Sequence, residues 1–475
     1  MKQFANLIAG DWATVGEVRP NVNPSDTNDV IGEFASATQE EARQAIAAAR
    51  AALPSWSRTT AQVRSDLLAK VGAELFQRRE EIGELLSREE GKTRPEGIGE
   101  VIRASQVMQF FAAEALRAIG EKLPPVRPGV DIDVTREPVG VVGVITPWNF
   151  PIAIAAWKIA PALAYGNTVV FKPADLTPAS AWTLTNIFRN CGAPAGVLNL
   201  VMGRGSVVGD VIIDGVDAIT FTGSVPTGRN IAARAIGRMA KLQLEMGGKN
   251  PLVVLDDTDL DVAVNCAVNG SFIQTGQRCT ASSRLIVTEG IYDRFVARLR
   301  EGMEKLKVGH ALQAGVDIGP VVDGGQLENN LKYLRIGQEE GAKLVGGDVL
   351  KRDTPGHYMA PAFFMEANNT MRIAREEIFG PVASVLRVKD YDEALAVAND
   401  TEFGLSAGIC TTSLKYARDF QRNSQSGLVM VNLPTAGLDY HVPFGGRKAS
   451  SYGPREQGTY AKEFFTTVKT TYISG

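Results

Sequence analysis

Among the four cysteines of the 475-residue chain, Cys279 has the surroundings of a reactive thiol. It lies in the stretch GQRCT (276–280), directly after Arg278. A neighbouring cation favours the thiolate, which is the form of cysteine that attacks carbonyl carbons. The other three cysteines lie at a predicted helix end or in apolar runs typical of unreactive positions: Cys191, Cys266 and Cys410. Cys279 is therefore the candidate nucleophile, with a buried structural cysteine as the alternative.

Two further side chains could complete the chemistry of a thiol that attacks a carbonyl. The reaction needs a hydrogen-bond donor for the developing oxyanion, and hydrolysis of the covalent intermediate needs a base that activates water. Asn149 can supply the donor. Because the chain has only three histidines, the base is expected to be a carboxylate, and Glu245 is the candidate. A carboxylate at the end of a strand that caps the next segment is the alternative for Glu245.

A second group of residues has the types that hold a nucleotide. Asp175 follows Lys172 by three residues, and a lysine can reach ribose or phosphate oxygens while a carboxylate accepts ribose hydroxyls. A solvated charge pair explains this spacing equally well. A glycine beside Ser224, ahead of a predicted helix, suits a pyrophosphate at a helix N-terminus. The glycines from 203 to 209 give G-x-G-x-x-x-G, which ordinary turn glycines also explain.

Alternating strands and helices are expected to bring these residues together. Short apolar runs alternate with helical patterns and predict a parallel, doubly wound sheet with helices on both faces. The predicted strands are 139–145, 168–171, 197–201, 218–221 and 241–244. Each of these strands is followed by one of the polar residues or glycines named above: Asn149, Lys172, Gly203, Ser224 or Glu245. Ligands of such sheets bind beyond the carboxyl ends of the strands. The site is therefore predicted at that edge.

The rest of the chain divides into stretches of different character. The first third is predicted to be helical, with a capping box at Thr38 and Glu41 and amphipathic stretches at 62–90 and 96–119. The Pro-rich segment 122–138 is predicted to be hairpin-like. Residues 252–431 have the pattern of a second α/β domain. The β-prone tail 464–473 is expected to pair away from its own sheet, across a subunit contact.

Composition narrows the class of protein. With 50 Lys and Arg against 53 Asp and Glu, no basic excess points to nucleic acid or an acidic membrane as a partner. No apolar run has the length of a membrane span, and the first residues do not resemble a secretory leader. A cytoplasmic location is therefore expected. HExxH, CxxC and GxSxG are absent from the sequence, so we expect no metal site and no serine nucleophile.

Over essentially its whole length the chain resembles the NAD(P)-dependent aldehyde dehydrogenase superfamily. The motifs that carry the resemblance are TPWNFP (146–151), FKPA (171–174), FTGS (221–224), LEMGGKNP (244–251), GQRCT (276–280), EEIFGP (376–381) and PFGGRKAS (443–450). The resemblance implies an α/β fold with a Rossmann-type cofactor domain, an α/β catalytic domain and a β oligomerisation arm. It places the cofactor domain at 1–121 and 139–247, the catalytic domain at 248–449 and the arm at 122–138 and 450–475. It also implies a homodimer or homotetramer.

Residue by residue, the resemblance implies that Cys279 is the nucleophile and that Asn149 and the Cys279 backbone N–H hold the oxyanion. Glu245 would activate the water that hydrolyses a thioester, and Lys172 would belong to both the catalytic and the cofactor-binding sets. The implied cofactor-binding residues are Thr146, Trp148, Lys172, Asp175, Gly205, Phe221, Ser224, Gly247, Glu377 and Phe379. NAD-preferring members often have glutamate at the place of Asp175, whose carboxylate should repel a 2′-phosphate. NAD is therefore the expected cofactor, and the shorter Asp leaves room for NADP.

The stretches 432–443 and 445–458 resemble those of family members that oxidise 2-oxoglutarate semialdehyde. Arg278 could anchor the carboxylate of such a substrate, although a structural ion pair is an equal alternative. The other substrate-binding residues implied are Trp157, Phe150, Pro434 and Phe444. Succinic semialdehyde is an alternative substrate, but many enzymes for it have arginine where this chain has Trp157. An aromatic or aliphatic aldehyde is the other alternative. A CoA-dependent reaction and a non-enzymatic scaffold are disfavoured, because Glu245 and Cys279 are both present.

Overall fold

The structure of the chain, a computed structural model, describes residues 2–117 and 120–474. Its strands are β1 (Gln3–Phe4), β2 (Leu7–Ile8), β3 (Asp11–Trp12), β4 (Val18–Asn23), β5 (Asp26–Ala35), β6 (Glu121–Leu123), β7 (Val130–Pro138), β8 (Val141–Ile145), β9 (Thr168–Lys172), β10 (Leu198–Leu200), β11 (Ala218–Thr222), β12 (Lys241–Glu245), β13 (Asn250–Val254), β14 (Ser282–Thr288), β15 (Lys343–Gly346), β16 (Ala362–Ala367), β17 (Val382–Val388), β18 (Phe403–Gly404), β19 (Ser406–Cys410), β20 (Leu428–Val431), β21 (Arg447–Lys448), β22 (Ser451–Tyr452) and β23 (Thr466–Ser474). Its α-helices are α1 (Gln39–Ser57), α2 (Ala61–Gln77), α3 (Arg79–Glu90), α4 (Arg94–Leu116), α5 (Ala153–Ala164), α6 (Pro178–Asn190), α7 (Asp210–Gly215), α8 (Val225–Ile236), α9 (Leu260–Ser271), α10 (Tyr292–Glu304), α11 (Gly324–Glu339), α12 (Arg372–Arg375), α13 (Tyr391–Asn399), α14 (Leu414–Asn423) and α15 (Lys462–Phe465). A π-helical turn (Gly205–Gly209) and two 3₁₀ turns (Ile273–Gly276 and Gly458–Ala461) complete the elements.

The predicted doubly wound sheet is confirmed. Eight strands lie in the order β22-β12-β11-β8-β9-β10-β2-β3, and the five from β12 to β10 are parallel. Successive residues of β8 point into two different cores: Val142 and Val144 into one, Val141 and Ile145 into the other. This explains why the strands read as continuous apolar runs. The strand order reverses between β8 and β11, which is where such sheets bind ligands.

A second sheet covers the predicted second α/β region. Its order is β15-β16-β17-β14-β13-β19-β20, and only the β15 edge is antiparallel. Strands β13, β14 and β19 are buried on both faces, with one apolar cluster on each side. Cys279 lies in the connection between α9 and β14. The candidate nucleophile is therefore positioned by this second sheet.

The hairpin-like prediction for 122–138 is confirmed, since β6 and β7 form an antiparallel pair. The tail pairs differently from expectation: β23 lies along β7 of the same chain over nine residues, from Thr466–Pro138 to Ser474–Val130. The residues before it do not join this small sheet. β22 pairs with β12, and Phe464 and Phe465 lie in the core of the first sheet. Of the stretch 450–475 assigned to the arm, only β23 therefore belongs to the arm sheet.

The prediction of an all-helical first third is wrong for the first 35 residues, which form β1 to β5. These strands are two to ten residues long and are stabilised by distant partners, as where Leu7 pairs with Leu200. The predicted helix 62–90 is two helices that meet at Arg78. The predicted helix 96–119 ends at Leu116, and Ala118 and Ile119 lie outside the described residues. Among the described helices, none combines the length and the apolarity that a membrane span requires.

Side-chain caps explain where helices begin. The predicted capping box at the start of α1 is present: Glu41 N–H donates to Thr38 Oγ1 (3.2 Å) and Thr38 N–H to Glu41 Oε2 (2.7 Å). Thr177, which precedes α6, makes no such bond. The buried carboxylate of Glu89 on α3 accepts instead from the N–H groups of Ala179 and Ser180 (2.6 and 2.9 Å).

Candidate active site

Two cavities meet at Cys279. The larger, about 470 Å³, is lined by residues of α4, α5, the Cys279 segment and the loop after β20. The smaller, about 210 Å³, lies at the carboxyl edge of the first sheet, between the ends of β8 and β11. Cys279 and Ile154 line both cavities. The thiol can therefore contact one molecule that enters from the surface and another that is held at the sheet edge.

A strained turn holds Cys279 in place. Gln274, Thr275 and Gly276 all have left-handed backbone, with φ of 55°, 56° and 63°. Strain of this kind persists only where surrounding contacts fix it. Here Gln274 N–H donates to Glu96 Oε1 (3.2 Å), and a Cβ at position 276 would lie 2.2 Å from a backbone oxygen. Three residues later, the carbonyl of Cys279 accepts from Asn250 Nδ2 (2.8 Å).

Asn149 lies beside this segment and is buried. Its Nδ2 donates one hydrogen to the carbonyl of Gln277 (2.9 Å), which leaves the other amide hydrogen for an oxyanion. The backbone carbonyl of Asn149 accepts from Lys92 Nζ (2.7 Å), and Lys92 is paired with Glu100 (2.6 Å). Glu100 also caps the N-terminus of α5, just after the TPWNFP motif. This buried chain of contacts fixes the position of Asn149, and its charged members were not anticipated from the sequence.

Glu245 ends β12 and is buried, with Ser451 Oγ donating to its Oε2 (2.5 Å). Burial raises the pKa of Glu245 well above its usual range, and the nearby carboxylate of Glu456 raises it further. The Ser451 hydrogen bond opposes this rise. Glu456 is itself buried and paired with Lys158, and neither was anticipated as a site residue. Glu245 therefore has the environment of a carboxyl with a raised pKa, as is typical of general bases.

The thiol of Cys279 is strongly perturbed. Burial raises its pKa to about 12, and the carboxylates of Glu377 and Glu245 contribute in the same direction. The cation of Arg278 beside it in sequence does not offset these effects. A thiolate at this position consequently requires an additional positive charge close to the sulfur.

Five of the residues predicted to bind a cofactor line the smaller cavity: Trp148, Ser224, Gly247, Glu377 and Phe379. The rings of Trp148 and Phe379 contact edge to face, with centroids 5.4 Å apart. Glu377 Oε1 accepts from Gly248 N–H (3.0 Å), and burial raises its pKa to about 7. A Cβ at Gly247 would lie 2.0 Å from Glu377 Oε2, so only glycine allows this approach.

The other five lie at the same sheet edge but do not line this cavity: Thr146, Lys172, Asp175, Gly205 and Phe221. Lys172 Nζ donates to Pro173 O (2.8 Å) and Asp175 Oδ1 (3.2 Å), and burial lowers its pKa. A Cβ at Gly205 would lie 4.0 Å from Cε of Lys172. Phe221 is buried beneath the turn at Gly223.

On the larger cavity the structure places Phe150, Trp157, Phe444 and Arg278. The rings of Trp157 and Phe444 lie 5.6 Å apart, and Trp157 Nε1 donates to Glu456 Oε2 (2.8 Å). Pro434 is half-buried and does not line the cavity, which the loop after β20 first meets at Ala436. Arg278 Nη2 donates to backbone carbonyls of α9, including Gly270 O (3.1 Å), which gives it a structural role as well.

Comparison with known proteins agrees with this geometry. Residues 12–471 match the family described as the aldehyde dehydrogenase family. The chain is 44% identical to the alpha-ketoglutaric semialdehyde dehydrogenase of Bacillus subtilis, covering 99% of this chain and 98% of that protein. It is 41% identical to the 2,5-dioxopentanoate dehydrogenase of Saccharolobus solfataricus, covering 99% of each. The crystal structure of Staphylococcus aureus betaine aldehyde dehydrogenase with NAD+ superposes with a TM-score of 0.96 at 33% identity, over 99% of this chain and 94% of that one.

Proposed function

The chain belongs to the aldehyde dehydrogenase family, and from this premise we propose that it oxidises 2-oxoglutarate semialdehyde to 2-oxoglutarate with NAD as hydride acceptor. That it is an NAD(P)-dependent aldehyde dehydrogenase follows from the family. The observation that carries the substrate is the full-length identity of 41–44% to relatives named for this aldehyde. The succinic semialdehyde relative, from Arabidopsis thaliana, is 37% identical. The identities thus favour the five-carbon keto aldehyde.

The chemistry begins at Cys279, whose sulfur attacks the aldehyde carbon and forms a thiohemiacetal. Asn149 Nδ2 and the Cys279 N–H donate to the resulting oxyanion. A bound oxidised nicotinamide would supply a positive charge near the thiol and the acceptor for the hydride. The chain is then left with a thioester at Cys279, and Glu245 removes a proton from the water that attacks it. The carboxylate product leaves, and the thiol is restored.

The sheet edge fits a dinucleotide on several observations. The hydroxyls of Thr146 and Thr222 are buried and have no hydrogen-bond partner. Ser224 begins α8 without capping it through its side chain, so the first turn of this helix can donate to a pyrophosphate. Glu377, held by Gly248 N–H, would accept from the hydroxyls of the nicotinamide ribose. Lys172 and Asp175 would hold the ribose of the adenosine half.

Asp175 gives a prediction about cofactor choice. We expect Asp175→Ala to raise the kcat/KM ratio of NADP over NAD by at least about tenfold, because the carboxylate that repels a 2′-phosphate is gone. Asp175→Glu is the matched control and should keep the preference for NAD. Initial rates with both cofactors at saturating aldehyde measure the ratio. An unchanged ratio in Asp175→Ala would place cofactor discrimination elsewhere.

Ser451 gives a prediction about pH. Its hydroxyl stabilises the ionised form of Glu245 and so lowers the pKa of that carboxyl. Ser451→Ala should therefore raise the pKa, and the acid limb of kcat should move to higher pH, since only the deprotonated carboxylate can activate water. Ser451→Thr keeps a hydroxyl and should leave the limb in place. A shift to lower pH, or none, would contradict the role of Glu245 as base.

A kcat/KM panel tests the proposed substrate. It compares 2-oxoglutarate semialdehyde, succinic semialdehyde, glutaraldehyde, benzaldehyde and propanal, each with NAD and with NADP. We expect the highest kcat/KM for 2-oxoglutarate semialdehyde with NAD. A higher value for benzaldehyde or propanal would keep the thiol chemistry and reject the acidic substrate.

We also propose a homodimer or homotetramer assembled through the arm. The arm sheet, formed by β6, β7 and β23, exposes large apolar side chains that a second subunit can cover: Leu123, Val468, Tyr472 and Ile473. The same proposal divides the rest of the chain into a cofactor domain (1–121 and 139–247) and a catalytic domain (248–449). A cytoplasmic location suits a thiol enzyme whose four cysteines are all free. Light scattering of the purified protein measures the subunit number.

A further inference from the structure

The larger cavity has an unusual set of hydrogen-bond donors. Three buried nitrogen atoms of its lining side chains have no acceptor: Arg103 Nε, Arg278 Nε and Gln457 Nε2. Buried polar groups of folded proteins are nearly always paired, because an unpaired one retains its full desolvation cost. Three unpaired donors on the wall of one cavity therefore point to a ligand that supplies acceptors.

Arg103 and Gln457 are joined to one another. Arg103 Nη2 donates to Gln457 Oε1 (3.2 Å), and its Nη1 donates to the carbonyl of Leu438, in the loop after β20. Since the amide oxygen of Gln457 is occupied by Arg103, its NH₂ group is left to donate. Gln457 is almost fully buried and has left-handed backbone, with φ of 60°. Strained backbone in non-glycine residues clusters at active sites and ligand-binding sites.

The acidic residues of the cavity do not satisfy these donors. Glu96 accepts from Thr93 and from Gln274 N–H, and Glu100 is taken up by Lys92 and the start of α5. Asp439 is exposed; burial lowers the pKa of Arg103 and the charge of Asp439 raises it, but among the described residues the two side chains do not come within ion-pair distance. Two cations on this wall, the guanidinium groups of Arg103 and Arg278, therefore have no carboxylate partner among the described residues.

We propose that Arg103 and Gln457 form the subsite for the carboxylate of the substrate, at the wall of the cavity that contains Cys279. This rests on the proposed function and names the residues that select an acidic aldehyde. Arg103 supplies the charge and one N–H, and Gln457 supplies a second donor whose direction Arg103 sets. A charge-assisted pair of donors suits a carboxylate better than a neutral chain end. Arg278, held by the carbonyls of α9, borders the same space.

Gln457→Glu tests the subsite with the least change of shape. The new carboxylate can still accept from Arg103, so the contact between Arg103 and Leu438 is kept, while the free donor becomes a repelling acceptor. We expect kcat/KM for 2-oxoglutarate semialdehyde to fall by at least about 50-fold and kcat/KM for pentanal by less than about threefold. Gln106→Glu is the matched control: it also adds a carboxylate to the cavity lining, but at an exposed position one helical turn after Arg103 and not at the amide that Arg103 contacts. It should change both values by less than about fivefold.

Arg103→Gln is a second variant, for use if Gln457→Glu does not fold. Its glutamine can still donate to the Leu438 carbonyl. It should lower kcat/KM for the acidic aldehyde at least about tenfold more than for pentanal. Equal losses for both aldehydes, no loss, or the same loss in Gln106→Glu would overturn the subsite. The wild-type ratio of acidic to neutral aldehyde is measured first. A high wild-type ratio with unselective variants rejects the subsite alone, whereas a wild-type enzyme without preference for the acidic aldehyde rejects the proposed function.

Discussion

Cys279→Ala is expected to lower steady-state aldehyde oxidation by about 10⁴-fold or more, the scale seen when an enzyme loses its nucleophile. The covalent intermediate cannot form without the sulfur, and none of the other three cysteines lines either cavity. Binding of NAD should remain, because alanine removes a single atom from the wall of the smaller cavity. NADH formation measures turnover, and calorimetric titration with NAD measures binding.

Cys191→Ala is the matched control. This cysteine lies at the end of α6 and is half-buried, far from the sheet edge that carries the site. The control should keep wild-type turnover. Retained turnover in Cys279→Ala would reject Cys279 as the nucleophile, and loss of NAD binding would show that the substitution disturbs more than the chemistry.

Glu245→Gln is expected to lower the steady-state rate by about 10²- to 10³-fold, as for loss of a general base. Its first turnover should survive, because attack by the thiol and hydride departure do not use this carboxylate. Rapid mixing with NAD and the aldehyde should therefore give a burst of NADH close to one equivalent per active site. Gln keeps the size of the side chain and a partner for Ser451. A lower rate would therefore reflect the missing base and not a disturbed structure.

Hydroxylamine separates this explanation from a general loss of activity. Added after the burst, it should discharge the thioester of Glu245→Gln as the hydroxamate of the product; it is added late because hydroxylamine also converts the free aldehyde to an oxime. It should do nothing for Cys279→Ala, which has no thioester. A normal steady-state rate in Glu245→Gln would place the base elsewhere, and the absence of a burst would place Glu245 in an earlier step.

The first sheet and the edge that holds the site could be predicted from the sequence because the strands β8 to β12 are buried on both faces. Continuous apolar runs and the polar residues directly after them are local patterns. The strands before residue 36 could not be predicted in this way. β2 and β3 are two residues long, and β2 is stabilised by pairing with β10, almost two hundred positions away.

The same distinction holds within the site. Cys279, Asn149 and Glu245 stand out by residue type and motif. Lys92, Glu100 and Lys158 look in the sequence like ordinary charged residues of helical stretches, and only the packing of α4 and α5 shows that they are buried and paired. Arg103 is hidden for the same reason, since its partners Leu438 and Gln457 lie more than three hundred residues away.

One measurement tests the central claim, that this chain forms a thioester of 2-oxoglutarate on Cys279. Glu245→Gln is mixed with NAD and 2-oxoglutarate semialdehyde, quenched in acid and analysed by intact and peptide mass spectrometry. The account predicts one added acyl group with the mass of 2-oxoglutaryl, located on the peptide that contains Cys279 and absent when NAD is omitted. No adduct, or an adduct on another residue, would contradict it.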